Sequence, residues 1–114
     1  MNGPPKTIVV GPFTYSVTFD QAAIDAASVA ADTSLRGETD HALLTIVVHP
    51  KLAAQQAVET LLHEVLHTVM TVAGITQDFG DDKEEQIVNR TSPLLLDVLR
   101  RNPSLVAYLV NAGG

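Results

Sequence analysis

The sequence contains no cysteine and no tryptophan, and its only aromatic residues are three phenylalanines and two tyrosines. Disulfide bonds and cysteine-ligated metal sites are therefore excluded, and the core has to be built mainly from Leu, Val, Ile and Ala. Basic residues are also scarce, because 7 Lys and Arg stand against 13 Asp and Glu, for a net charge of -6. Since nucleic-acid binding needs a positive surface, we expect no nucleic-acid partner.

Long apolar runs are missing as well. No stretch approaches the roughly 20 residues that cross a membrane, and residues 1–10 lack the basic start and long apolar run of a signal peptide. The sequence therefore predicts a cytoplasmic protein with no membrane partner. The 114 residues suit one domain over 1–114, with residues 1–6 as a loose tail. Nothing in the sequence indicates the oligomeric state.

The spacing of apolar residues predicts an α+β fold. Short β-branched runs predict strands, and apolar residues three and four apart predict helices. The predicted strands cover residues 7–10, 14–19, 34–38 and 43–48, with a turn at 39–41. The predicted helices cover residues 21–31, 52–73 and 83–101, and one or two further helical turns are expected over 105–110. Asp20 and Gly74 are expected to cap the first two helices, and Pro93 predicts a kink or break in the third.

One short motif carries chemistry: His63, Glu64 and His67 form the pattern H-E-x-x-H inside the predicted helix over 52–73. Histidines four residues apart lie on one helix face and can bind one metal ion together. Glu64 is turned by about 100° from His63 around the helix axis. It is therefore expected beside the metal, where it can take a proton from bound water.

The alternative interpretation is that two surface histidines match this pattern by chance. The surrounding helix is strongly apolar, with Leu61 and Leu62 before the motif and Val65 and Leu66 inside it. Unpaired polar groups are costly in such surroundings. A metal site explains three polar side chains on one turn, so metal binding is the favoured interpretation.

A zinc site needs a third protein ligand, and no histidine follows the motif. A carboxylate on the next helix is the remaining common choice, which leaves Glu84 and Glu85. Glu84 shares a helix face with apolar residues, whereas Glu85 is followed four residues later by Asn89, which could hydrogen-bond a ligand. Either glutamate could instead only favour the helix dipole. Glu85 is the preferred third ligand, with Glu84 as the alternative.

The motif, followed by Glu85 and Asn89, resembles the gluzincin class of zinc metallopeptidases. The chain is also similar to small H-E-x-x-H proteins encoded by bacteriophages and integrated bacterial elements. Besides the motif, three stretches carry this second resemblance: residues 37–40, 59–64 and 99–103. It implies a minimal zincin-like fold, in which a small β-sheet packs against an active-site helix and a second long C-terminal helix follows. For a phage protein, the expected compartment is the host cytoplasm.

The predicted function is therefore that of a zinc-dependent metallopeptidase, a hydrolase that binds Zn²⁺ through His63, His67 and Glu85 (or Glu84). Zinc-bound water would attack a peptide bond of a protein or peptide substrate with Glu64 as the catalytic base. The alternative is a non-catalytic zinc-binding phage protein that acts as an interaction or regulatory module. An acid next to the ligands and the lack of an evident fourth protein ligand favour the catalytic interpretation.

Four other residues are weaker candidates. His41 and His49 flank the predicted strand over 43–48 and could polarise a carbonyl, although exposed turn histidines are the favoured interpretation. Tyr15 or Tyr108 could stabilise an oxyanion, but a partly buried, hydrogen-bonded tyrosine is the default.

Overall fold

The computed structural model describes residues 3–74 and 83–112, and these form a mixed four-stranded sheet with helices, which confirms the α+β prediction. The strands are β1 (Thr7–Val10), β2 (Phe13–Phe19), β3 (Gly37–Asp40) and β4 (Thr45–Val48). The helices are α1 (Gln21–Ala31), α2 (Ala54–Val72), α3 (Lys83–Arg101) and α4 (Pro103–Asn111). No helix in the described ranges is long and apolar enough to span a membrane.

The strand order is β1-β2-β4-β3, so β3 lies at an edge of the sheet. β1 and β2 form an antiparallel hairpin, and its turn contains Gly11 at a φ of 57°, a value that favours glycine. β2 pairs with β4 in parallel, and β3 pairs with β4 antiparallel. α1 connects β2 to β3, and it begins after Asp20, whose side chain accepts a hydrogen bond from the Ala22 N–H at 3.3 Å.

The core lies where α2 packs on one face of this sheet. Leu61, Val65 and Val69 come from α2 at helical spacing, and each is at most 1% exposed. Alternate residues of the strands meet them, namely Ile8, Val10, Tyr15, Ile46 and Val48. Burying one such aliphatic side chain stabilises the fold by about 1.5–3 kcal/mol. This packing fixes α2, and with it the H-E-x-x-H motif, against the sheet.

The fourth strand is shorter than predicted. Residues 41–44 form a turn, in which the Asp40 carboxylate accepts hydrogen bonds from the Ala42 and Leu43 N–H groups at 3.0 Å each. Leu44 has a φ of 57°, and Leu43 is 73% exposed. The apolar run therefore included residues of a tight turn, because local hydrogen bonds to Asp40 outweigh strand propensity there.

The third strand was predicted over 34–38 with a turn at 39–41, but it covers Gly37–Asp40, and the turn follows it. Its sequence, Gly-Glu-Thr-Asp, has little strand propensity. The register is set by pairing with β4, in which Gly37 lies opposite Val48 and Asp40 lies opposite Thr45. Tertiary pairing therefore decides the bounds of this strand.

α3 continues through Pro93, so of the kink or break predicted there the break does not occur. Proline removes one helical hydrogen bond and costs about 3 kcal/mol in a helix interior. The second half of α3 is nevertheless held to the core, because Val98 is fully buried and Leu94 packs against the core cluster. Gly74 follows α2 at a φ of 76°, which confirms it as the residue that ends that helix.

Candidate metal centre

The two histidines of the motif face one another on the exposed side of α2. The Nε2 atoms of His63 and His67 lie 3.0 Å apart, and their ring centroids are separated by 4.7 Å with an interplanar angle of 79°. Two nitrogens bound to one tetrahedral zinc ion at about 2.0–2.1 Å would lie about 3.3 Å apart. The spacing of these two Nε2 atoms therefore fits a shared metal ion after a small movement.

Glu64 completes a group of three potential ligands. One ligand atom from each of His63, Glu64 and His67 lies within 4.8 Å of the others, so this cluster could hold a metal ion. Glu64 is only 6% exposed, whereas both histidines are exposed. Among the side chains that the structure describes, which do not include those of Glu84 and Glu85, no other histidine or carboxylate joins the cluster.

The Glu64 carboxylate is held by the edge strand β3. The Thr39 hydroxyl donates a hydrogen bond to Glu64 Oε1 at 2.8 Å and also lies 3.5 Å from the Glu64 carbonyl oxygen. A buried carboxylate without such a donor would be costly. With Oε1 engaged by Thr39, the position of the carboxylate is fixed and Oε2 is left for other contacts.

Gly37 provides the space that Glu64 needs. A Cβ at this position would lie 2.8 Å from Thr60 Cγ2 and 3.1 Å from Glu64 Cγ. Such contacts are too close for any larger residue, so only glycine allows β3 to approach α2 at this point. Gly37 and Thr39, two residues apart on β3, thus share a strand face that packs on Glu64.

Two clefts adjoin the cluster. One, of about 390 Å³, contains His63, Glu64 and His67 in its wall; its remaining lining is Ala31, Leu35, Gly37, Glu38, Thr39 and His41. The other, of about 280 Å³, is lined by Arg36, Gly37, Glu59, Thr60, His63 and Glu64. Gly37, His63 and Glu64 line both clefts, so a ligand in either one would meet these residues.

The two histidines that were weaker candidates, His41 and His49, lie in different parts of the structure. His41 lies in the turn after β3 and lines the larger of these clefts. His49 lines a different groove, together with Asp25 and Ser28, and its Nδ1 accepts a hydrogen bond from the Lys51 N–H at 3.1 Å. His41, but not His49, therefore lines the same cleft as His63, Glu64 and His67.

The two tyrosines differ in the same way. The Tyr15 hydroxyl lies 3.2 Å from His41 Nδ1. Tyr15 therefore contacts a residue that lines the larger cleft. Tyr108 is part of the buried core and lines neither cleft. Burial raises the pKa of both phenols above its ordinary value, so both stay protonated at neutral pH.

The third predicted ligand has a side chain outside the described part of the structure. Glu84 and Glu85 belong to the first turn of α3, which contacts α2, but their side chains are not among those that the structure describes. The assignment of Glu85, with Glu84 as the alternative, stays a prediction.

Sequence reasoning did not identify Gly37, Thr39 or Thr71 as parts of this region. The only sequence signal for Gly37 and Thr39 was that residues 37–40 carry part of the resemblance to phage-encoded H-E-x-x-H proteins. Their alternate spacing becomes meaningful once the strand is known to cover Gly37–Asp40. Thr71 follows His67 by one helical turn, and its Oγ1 lies 3.1 Å from His41 Nε2, a contact that only the tertiary structure reveals.

No family model matches the chain, and no curated protein or solved structure shows significant similarity to it. What the structure shows is an H-E-x-x-H cluster that could bind a metal. The likeness to gluzincins rests on this motif.

Proposed function

We propose that the protein is a zinc-dependent metallopeptidase whose metal is held by His63, His67 and a carboxylate of α3. The observation that carries this proposal is the pair of Nε2 atoms 3.0 Å apart beside a buried, oriented glutamate. Nitrogen and carboxylate donors with no thiolate suit zinc, and a site with three protein ligands leaves a position open for chemistry.

When bound, zinc would lower the pKa of a coordinated water to about 7 and polarise the substrate carbonyl. Glu64 then accepts a proton from the attacking water at its free oxygen, since Thr39 engages the other. As the C–N bond breaks, Glu64 passes this proton to the leaving amine, which departs neutral. The buried position of Glu64 and its bond to Thr39 hold it in place throughout.

A peptide substrate is supported by the free edge of β3. The His49 N–H donates a hydrogen bond to the Arg36 carbonyl at 2.8 Å, which places Arg36 and His49 in a hydrogen-bonded pair. Such pairs alternate along an antiparallel ladder, so the N–H and C=O groups of Gly37 and Thr39 point away from β4. No described strand pairs with that edge, and an extended peptide could therefore add to it.

One observation favours the alternative, a non-catalytic zinc protein. The hydrogen bond between Thr39 and Glu64 joins β3 to α2, so Glu64 has a structural contact even without catalysis. The two functions differ in what happens when its charge is removed while its shape is kept.

Glu64→Gln is the decisive variant. Its amide retains an oxygen for the Thr39 hydroxyl but cannot take up the proton from water. Purified wild type and variant should both contain about one zinc per chain by elemental analysis. Only the wild type should cleave members of a random peptide library monitored by mass spectrometry, with a difference of about 100-fold or more.

Three outcomes would contradict the proposal or part of it. Absence of zinc after expression in zinc-rich medium would remove the metal centre. Zinc binding with no cleavage of any library peptide by the wild type would leave the non-catalytic function as the better account. Equal cleavage by the two proteins would show that Glu64 is not the base.

A further inference from the structure

His41 and two hydroxyl groups form a hydrogen-bonded cluster next to the cleft of about 390 Å³ that His63, Glu64 and His67 line. Tyr15 Oη lies 3.2 Å from His41 Nδ1, and Thr71 Oγ1 lies 3.1 Å from His41 Nε2. The rings of Tyr15 and His41 also meet edge to face, with centroids 6.1 Å apart. The proposed mechanism uses none of these three side chains, although His41 is in the wall of the cleft.

Tyr15 determines which ring nitrogen of His41 carries the proton. Tyr15 is 1% exposed, and the described residues offer its hydroxyl no acceptor other than His41 Nδ1. A buried phenol has to donate its hydrogen or leave it unsatisfied, which is costly. The hydroxyl therefore donates to Nδ1, and the proton of the neutral imidazole is placed on Nε2.

The position of His41 relative to the metal ligands follows from α2. Thr71, which contacts Nε2, lies four residues beyond His67 on α2, a rise of about 6 Å. An extended peptide advances about 3.3 Å per residue, so Nε2 lies one to two residues along a bound peptide from the metal. A peptide that pairs antiparallel with β3 has its N-terminal side towards His41, because His41 follows the C-terminal end of that strand.

We propose that the Nε2–H of His41 donates a hydrogen bond to a main-chain carbonyl of the bound peptide, one or two residues on the N-terminal side of the scissile bond. Tyr15 is the positioning residue that keeps the proton on Nε2, and Thr71 accepts this hydrogen bond in the free protein. The inference rests on the proposed function, since it takes a peptide as the ligand of the same cleft.

The position of the proton can be measured on the metal-free, full-length protein. Nitrogen-15 spectra of the imidazoles at pH about 8, where histidine is neutral, distinguish a protonated nitrogen from a bare one. Wild type should show His41 with a protonated Nε2, and Tyr15→Phe should shift it towards a mixture of both forms. Tyr108→Phe, which removes a buried hydroxyl away from His41, should leave the spectrum unchanged. A proton on Nδ1 in the wild type, or no response to Tyr15→Phe, would overturn the role of Tyr15.

The carbonyl contact is tested by binding of two hydroxamates to the zinc-loaded protein. Acetohydroxamate offers only the metal-binding group, and acetyl-trialanine hydroxamate adds peptide carbonyls on its N-terminal side. His41→Phe should weaken the peptide probe by about 5- to 10-fold, the effect of one hydrogen bond, and leave acetohydroxamate unchanged. His41→Gln, which keeps an N–H donor near the position of Nε2, should restore much of the loss.

Two results of these binding measurements would overturn the carbonyl contact, and a third would overturn the zinc site. Equal weakening of both probes by His41→Phe, or equal affinities of the peptide probe for all three proteins, would overturn the carbonyl contact. Failure of the wild type to bind acetohydroxamate would overturn the proposed zinc function itself, and the contact with it. The nitrogen-15 spectra of the metal-free protein would still test the Tyr15–His41 hydrogen bond, because they do not require zinc. A failure of zinc binding can therefore be told apart from a failure of the role given to Tyr15.

Discussion

At the scale of single residues, two residues of β3 hold the side chain of Glu64 in place. Glu64 is almost fully buried on a helix whose neighbouring histidines are exposed. Thr39 satisfies one oxygen, and Gly37 leaves space for the side chain. A strand with little strand propensity thus holds the acid on which the proposed chemistry depends.

This dependence predicts the effect of Thr39→Val. The substitution keeps the branched shape but removes the donor to Glu64 Oε1, so a buried carboxylate loses its hydrogen bond. We expect the free energy of unfolding of the metal-free protein to fall by about 1–3 kcal/mol, measured by urea denaturation. Thr39→Ser keeps the hydroxyl and should lose clearly less. A larger loss for Ser than for Val would show that the methyl group matters more than the hydrogen bond.

The third ligand is a second question at this scale. If a carboxylate of α3 completes the site, Glu85→Gln should weaken zinc binding well beyond Glu84→Gln, because only the first removes a charged ligand. Competition with a zinc chelator at fixed pH measures both affinities. The two glutamates are adjacent on the same helical turn, so each variant is the matched control of the other. The reverse order would assign Glu84 as the ligand.

At the scale of elements, the sequence predicted best where one local pattern dominates. The helical spacing of apolar residues over 52–73 matched α2, and Asp20 and Gly74 marked helix ends as expected. The motif histidines could be found because both lie on one helix, where spacing alone fixes geometry.

Prediction was weaker where partners distant in sequence decide. The bounds of β3 depend on its pairing with β4, and the apolar run before residue 45 includes a turn held by Asp40. The contact of His41 with Tyr15 and Thr71 joins three separate elements. No periodicity in the sequence signals such contacts.

Asn102, between α3 and α4, shows how one side chain can join elements. Its Oδ1 accepts from the Val9 N–H at 2.9 Å, and its Nδ2 donates to the carbonyls of Val9 at 2.9 Å and Val98 at 2.7 Å. The amide thereby pairs with edge strand β1 as another strand would, and Asn102 is 5% exposed.

Asn102→Asp should therefore destabilise the whole fold. The carboxylate cannot donate to either carbonyl, and its charge would be buried beside two carbonyl oxygens. We expect a loss of about 2–5 kcal/mol in the free energy of unfolding at pH 7, measured by chemical denaturation. The matched control is Asn111→Asp, because Asn111 is exposed and donates one hydrogen bond, to the Ala107 carbonyl at 2.8 Å. Similar losses for both variants would contradict the role given to Asn102.

At the scale of the whole molecule, the proposed metal would add a connection outside the apolar core, which already contains Val98 of α3. The core joins α2 to the sheet through aliphatic side chains, whereas His63 and His67 lie on the exposed side of α2. A zinc ion bound there and to the first turn of α3 would tie the two long helices together. Because such a ligand binds the folded state alone, it should raise the stability of the entire chain.

The melting temperature of the metal-free protein should accordingly rise when zinc is added. At a free zinc concentration about 100 times the Kd, the gain is about 2.7 kcal/mol, which for a chain of this length corresponds to roughly 10 °C. Differential scanning calorimetry measures the shift. His63→Ala and His67→Ala should each abolish most of it. His49→Ala should retain the full shift, because His49 lines a groove away from the cluster. An equal rise in all four proteins would show that zinc binds elsewhere, and no rise in the wild type would argue against the metal centre.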